Sequence, residues 1–115
     1  CFKEVKRVLK DKGLFVFSLD HPFYRTMDSK KLKIKMSYLN TGKNVEKYNN
    51  VSFVSYYHTV SEIYNILASV GFFVEQMLEP DSRKHYKYDP WYGLWDYTPE
   101  LQKMIPPTII FKARK

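Results

Sequence analysis

Few residues in this sequence have the chemistry to move a proton, hold a metal or attack an electrophile. They are three histidines (His21, His58 and His85), a lone Cys1 and a scatter of carboxylates. Asp20 and His21 stand side by side, directly after the apolar run Leu14-Phe15-Val16-Phe17-Ser18-Leu19 and just before Pro22. Such a short, nearly unbroken apolar run reads as a strand buried on both faces, as in a parallel sheet. Open α/β sheets bind ligands beyond the carboxyl ends of their parallel strands. Asp20 and His21 are therefore the leading candidates to face a substrate, with His21 able to act as a base near neutral pH. The plainer alternative is that Asp-His-Pro caps the strand and turns the chain. His58 lies just before a helix start, and Trp91 and Trp95 belong to an aromatic stretch. That stretch could wall a pocket for an apolar or cationic molecule, or it could simply cover the edge of the core. Neither the histidines nor Cys1 show metal-ligand spacing, so no zinc site is expected.

The elements that must carry these residues follow from periodicity. Phe2, Val5, Val8 and Leu9 recur at helical spacing, and Lys12-Gly13 reads as the helix end, with Gly13 free to take positive φ. The strand at 14–19 comes next. The segment 23–57 behaves as an insertion: Leu32, Ile34, Met36 and Tyr38 alternate with polar residues, as do Val51, Phe53, Ser55 and Tyr57. That pattern predicts a two-stranded ribbon with an apolar face and a lysine face, which must lie on something to be stable. Thr59-Val60-Ser61-Glu62 is a capping box opening a helix that buries Val60, Ile63, Tyr64, Leu67 and Val70 and ends at Gly71. A strand at 72–78 follows, closed by Glu79-Pro80. After the aromatic stretch, Pro106-Pro107 leads into a last strand at 108–113. The order helix, strand, insertion, helix, strand, loop, strand implies an α/β fold with one strand–helix–strand unit and a returning antiparallel strand.

The 115 residues suit one compact domain and contain no apolar run long enough to span a membrane. The chain opens without an initiator Met and in mid-helix pattern, which is expected of a single partial domain covering 1–115. No secretory leader is recognisable, and the single cysteine fits a reducing compartment, so a cytoplasmic location is expected. The net charge of +7 is uneven: residues 30–47 hold six lysines against one acid, whereas 49–79 are acidic at −3. A patch for nucleic acid or an anionic substrate is one reading, and an ordinary solvated surface is the other.

At this point the residues resemble a known family. The segment from Phe2 to Ser18, FKEVKRVLKDKGLFVFS, is similar to the "xxEVxRVLKPGGxFVFS" segment of class I S-adenosylmethionine-dependent methyltransferases, with Asp11-Lys12-Gly13 in place of Pro-Gly-Gly. Tyr57-His58-Thr59-Val60-Ser61-Glu62-Ile63-Tyr64-Asn65-Ile66-Leu67, with Gly71-Phe72 and Glu79-Pro80, resembles "YHRTxSxYxNxLxxAGF…EP", although the arginine after the histidine is missing. The stretch 106–115 is similar to the family's terminal strand. The resemblance implies the C-terminal portion of a Rossmann-like methyltransferase. Its final strand would lie antiparallel between its neighbours, in the order 14–19, 108–113, 72–78, and residues 23–57 would form an acceptor-side lid. It implies S-adenosylmethionine as cofactor of the full-length protein. The glycine-rich cofactor loop precedes the region matched, and Gly13, Gly42, Gly71 and Gly93 form no cluster, so no cofactor-binding residue is expected here and the fragment alone is expected to be inactive. The resemblance also places His58 on the same side of the sheet as Asp20 and His21; these three, with Trp91 and Trp95 from the aromatic stretch, are the expected contacts to a small-molecule methyl acceptor. The alternative function is a basic α/β module binding nucleic acid or a protein partner, and an exposed sheet edge would favour self-association.

Overall fold

The computed structural model describes residues 1–48, 50–81 and 98–115. Helix α1 (Phe2–Val8) leads to β1 (Leu14–Asp20). After a 3₁₀ turn (Tyr24–Thr26) come the short strands β2 (Met27–Asp28) and β3 (Lys33–Ile34), then β4 (Gly42–Tyr48) and β5 (Val51–Tyr57). Helix α2 (Val60–Ser69), β6 (Phe73–Leu78), the single turn α3 (Pro99–Gln102) and β7 (Thr108–Arg114) complete the chain. The main sheet has the order β1-β7-β6, with β7 antiparallel to both neighbours. It follows that β1 and β6 run parallel to one another and bring their carboxyl ends to the same edge, where β7 begins. This is the strand order expected from the resemblance.

One face of that sheet carries the core. Ile109, Phe111 and Ala113 of β7 are fully buried against Ile63 and Leu67 of α2 and against Phe72, with Phe2, Val5 and Leu9 of the α1 segment packed around them. Phe17 stacks on Phe111 at 5.3 Å between ring centroids. α2 is held at both ends. The Thr59 hydroxyl accepts from the Glu62 backbone N–H at 3.1 Å while the Glu62 carboxylate accepts from the Thr59 N–H at 2.9 Å, the reciprocal cap the sequence predicts. At the other end Lys6 of α1 donates to the carbonyls of Val70 and Gly71 at 2.9 and 3.0 Å, satisfying acceptors that a helix C-terminus leaves open.

Several local expectations are corrected. β1 is not buried on both faces: Leu14, Val16, Ser18 and Asp20 are exposed, because both helices pack on the side of Phe15, Phe17 and Leu19. α1 ends at Val8, and Lys12, not Gly13, takes the positive φ of 60°. Gly13 is needed for space instead, since a Cβ there would stand 2.6 Å from the Lys10 carbonyl oxygen. Val8 and Tyr64 are exposed, not part of the core. The ribbon exists, but β5 pairs with β4 at 42–48 and not with the alternating residues around 32–38. The Tyr48↔Val51 register leaves a two-residue connection in which Asn50 has φ 64°, the left-handed backbone that Asn accepts best after Gly. A tight asparagine turn outweighs alternation, and β3 keeps only a two-residue pairing with β2. The ribbon faces also differ from expectation, since Val45, Val51, Phe53, Val54 and Tyr56 all remain exposed.

Candidate functional site

The carboxyl edge of β1 and β6 is built by two similar dipeptides. Each strand is followed by a titratable residue and a proline, His21-Pro22 after β1 and Glu79-Pro80 after β6. Proline has no N–H to extend the ladder, so both strands stop there and their next side chains are freed from the pleat. The His21 N–H donates to the Pro107 carbonyl at 2.7 Å, tying this corner to the start of β7. His21 is buried, with 7% of its surface exposed. Its Nδ1 accepts the Phe23 backbone N–H at 3.1 Å, which leaves the ring proton of the neutral imidazole on Nε2. That Nε2 lies 2.8 Å from Glu79 Oε1. His21 therefore has both nitrogens engaged, one as acceptor and one as donor to a carboxylate. Glu79 keeps about half of its side chain exposed, at 53%.

Glu79 also lines a cleft of about 280 Å³ together with Pro80, Asp81, Lys103, Met104 and Ile105. At the start of the insertion, Phe23, Tyr24 and Met27 form a second small core with Leu101 and Ile105, which fixes α3 against the turn at Tyr24–Thr26. Thr98 caps α3 and donates to the Ser29 carbonyl at 3.2 Å. The cleft is thus framed by two anchored elements.

The other candidates are placed differently. Asp20 ends β1 on its exposed side, opposite Thr108 in β7. His58 sits beside the α2 cap, its Nδ1 3.6 Å from Glu62. The structure therefore gives His58 a helix-entry position and brings His21 together with Glu79, not with His58. Trp91 and Trp95 lie outside the described residues. Glu79 was not among the site residues expected from sequence. Its signal was the repeated titratable-residue-then-proline pattern after two parallel strands. The insertion meets α2 through Tyr38, whose hydroxyl accepts the Val60 N–H at 2.8 Å, and Thr41, whose hydroxyl donates to Glu62 at 3.3 Å. Arg25 lies over the Tyr57 ring at 4.1 Å, and the Tyr57 hydroxyl donates to Glu46. Burial foremost, and then the Glu46 carboxylate, raise the Tyr57 pKa.

The space at Gly13 and Gly71 is filled by Lys10 and Lys6, and Gly42 faces open space, so among the described glycines no two open onto a common hollow. Among the described residues no group of His, Cys, Asp and Glu could hold a metal, and no helix is long and apolar enough to cross a membrane.

A sheet whose last strand lies reversed between two parallel ones, with α1 and α2 on one face, is the arrangement that the resemblance to the C-terminal part of a methyltransferase implies. Solved structures agree. The chain is similar to a protein of Mesorhizobium loti described as an S-adenosylmethionine-dependent methyltransferase, at 25% identity and a TM-score of 0.66. It is similar to one of Listeria monocytogenes, assigned to the same class, at 22% identity and the same TM-score of 0.66. Each superposition covers 99% of this chain and 53% of the other, so this chain spans about half the length of the proteins it matches. No family profile and no curated protein matches the sequence.

Proposed function

We propose that this chain is the sheet-completing, acceptor-side portion of an S-adenosylmethionine-dependent methyltransferase that acts on a small molecule. In this reading the cofactor is held by residues outside the chain, and 23–57 serves as the lid over the acceptor. The observation that carries the reading is the reversed central β7, found together with fold similarity over nearly the whole chain. Methyl transfer from a sulfonium is an in-line displacement with an activated leaving group, so the acceptor side needs alignment and exclusion of water more than a strong base. The carboxyl edge suits that task, with a buried imidazole, a half-exposed carboxylate and a cleft beside them. Asp20 and His58 are secondary contacts in this reading.

The test is a pair of titrations with S-adenosylmethionine, one on this chain and one on the chain extended N-terminally. Binding by the extended chain alone is the expected result. No binding by either, combined with salt-sensitive affinity for nucleic acid, would replace this reading with that of a basic binding module.

A further inference from the structure

The carboxyl edge holds a carboxylate whose geometry is set from behind. His21 is buried, and its Nδ1 is occupied by the Phe23 N–H at 3.1 Å. With that nitrogen acting as acceptor, the only direction left for the ring proton is Nε2, and Glu79 Oε1 stands there at 2.8 Å. A buried histidine held from behind through its Nδ1 thus clamps one oxygen of Glu79. The other oxygen, Oε2, has no hydrogen-bond partner among the described residues, and Glu79 lines the cleft. The rest of the lining is mixed, with Pro80, Met104, Ile105 and Pro106 offering apolar surface beside the polar Gln102. The charged residues of the lining are Glu79, Asp81 and Lys103, so carboxylates outnumber cations there and the cleft is formally negative.

We infer that Glu79 is a specificity residue, with His21 as its positioning residue, for a small molecule carrying an ammonium group on a hydrocarbon body. The ammonium meets Oε2 while the hydrocarbon lies on the prolines, Met104 and Ile105. Charge-assisted hydrogen bonds to a pre-aligned carboxylate are stronger than neutral ones, and holding the carboxylate in place lowers the ordering cost of binding. His21 is not a free base here: its acceptor nitrogen is occupied, and its ring proton faces the carboxylate. The inference rests on the methyltransferase reading only in calling this molecule the methyl acceptor, because cation binding at the cleft is measurable without any transfer.

The test uses the isotopically labelled chain and two probes of matched size, 2-phenylethylammonium and 3-phenylpropionate. Saturable amide shifts at Phe23, Glu79 and Lys103 are expected with the ammonium and not with the carboxylate. The isosteric Glu79→Gln is expected to weaken ammonium binding about tenfold, the scale of one lost charged hydrogen bond. Glu79→Asp keeps the charge but withdraws it from His21, and it is expected to weaken binding as well. In the unaltered chain the His21 ring nitrogens should report an Nε2–H tautomer that shifts on titration. Equal binding of both probes, undiminished binding by Glu79→Gln, or His21 ring signals indifferent to the ammonium would each overturn the inference. Ammonium binding without cofactor binding by the extended chain would sink the methyltransferase reading alone. Cofactor binding without ammonium binding would sink this inference alone.

Discussion

At the residue scale, single atoms decide what each position tolerates. Gly71 has φ +83°, and a Cβ there would stand 2.3 Å from Lys6 Nζ, the group that closes the end of α2. Gly71→Ala is therefore expected to destabilise the chain by about 1–2 kcal/mol, from left-handed strain alone, and more through displacement of Lys6. Urea unfolding of Gly71→Ala alone and together with Lys6→Ala separates the two contributions. If the strain dominates, the lysine substitution will not rescue it. Residues were unevenly legible in the sequence. Gly71 and the strand-ending prolines announce themselves by type. The His21–Glu79 pair does not, because the two are 58 positions apart and meet only when β7 lies between their strands. Tyr64 departs from expectation for the opposite reason: helical spacing marks a face of α2, and Tyr64 lies outside the packed cluster and is exposed.

At the element scale, α2 gives the clearest expectations. Thr59→Ala removes the acceptor for the Glu62 N–H and should cost about 1 kcal/mol, read from denaturant midpoints. The Glu62 carboxylate is held below its ordinary pKa, chiefly by the Thr59 backbone N–H. A depressed carboxylate contributes stability above its unfolded pKa and loses it as pH falls through the lower folded value. Amides in the first turn of α2 should therefore exchange faster as pH drops below about 4, after correction for intrinsic rates. Glu62→Gln still offers an acceptor and should flatten that dependence; an unchanged acid response would place its source elsewhere. The capping box was readable because it is local. The hairpin differs from its expected place because alternation at 32–38 is as regular as that of a true strand, and the left-handed Asn50 beside the Tyr48↔Val51 register lies outside it.

At the scale of the whole molecule, the second face of the main sheet stands open. Leu14 and Val16 of β1 and Phe73 and Leu78 of β6 are exposed there, Phe73 at 72%. Glu75 crosses the same face to pair with Lys112 at 3.3 Å and with Arg114, which keep its carboxyl below the usual range, the Arg114 hydrogen bond most of all. Apolar positions this exposed favour association. Sedimentation at rising concentration should detect oligomers, and Val16→Lys with Phe73→Lys should shift them to monomer. A monomer at all concentrations would mean that the ionic stripe is enough to keep the face in water. The fold class was the most legible part of this protein, since the order of elements and the glycine–strand junctions survive local errors. The open face was not, because β1 is apolar on both sides and gives no hint of which side the helices take.

The position of β7 has a consequence for the order of events during folding. β1 and β6 are not neighbours; each hydrogen-bonds only to β7 among the described strands, and β7 is the last of them to be synthesised. Until residues 108–114 emerge from the ribosome, the apolar runs of β1 and β6 have no partner in the sheet and wait exposed. Sheet formation is then a late, non-local event, which by its long loop closures should be slow. A nascent chain stalled before residue 108 should be a strong client of chaperones, and the same chain extended past 114 should let them go.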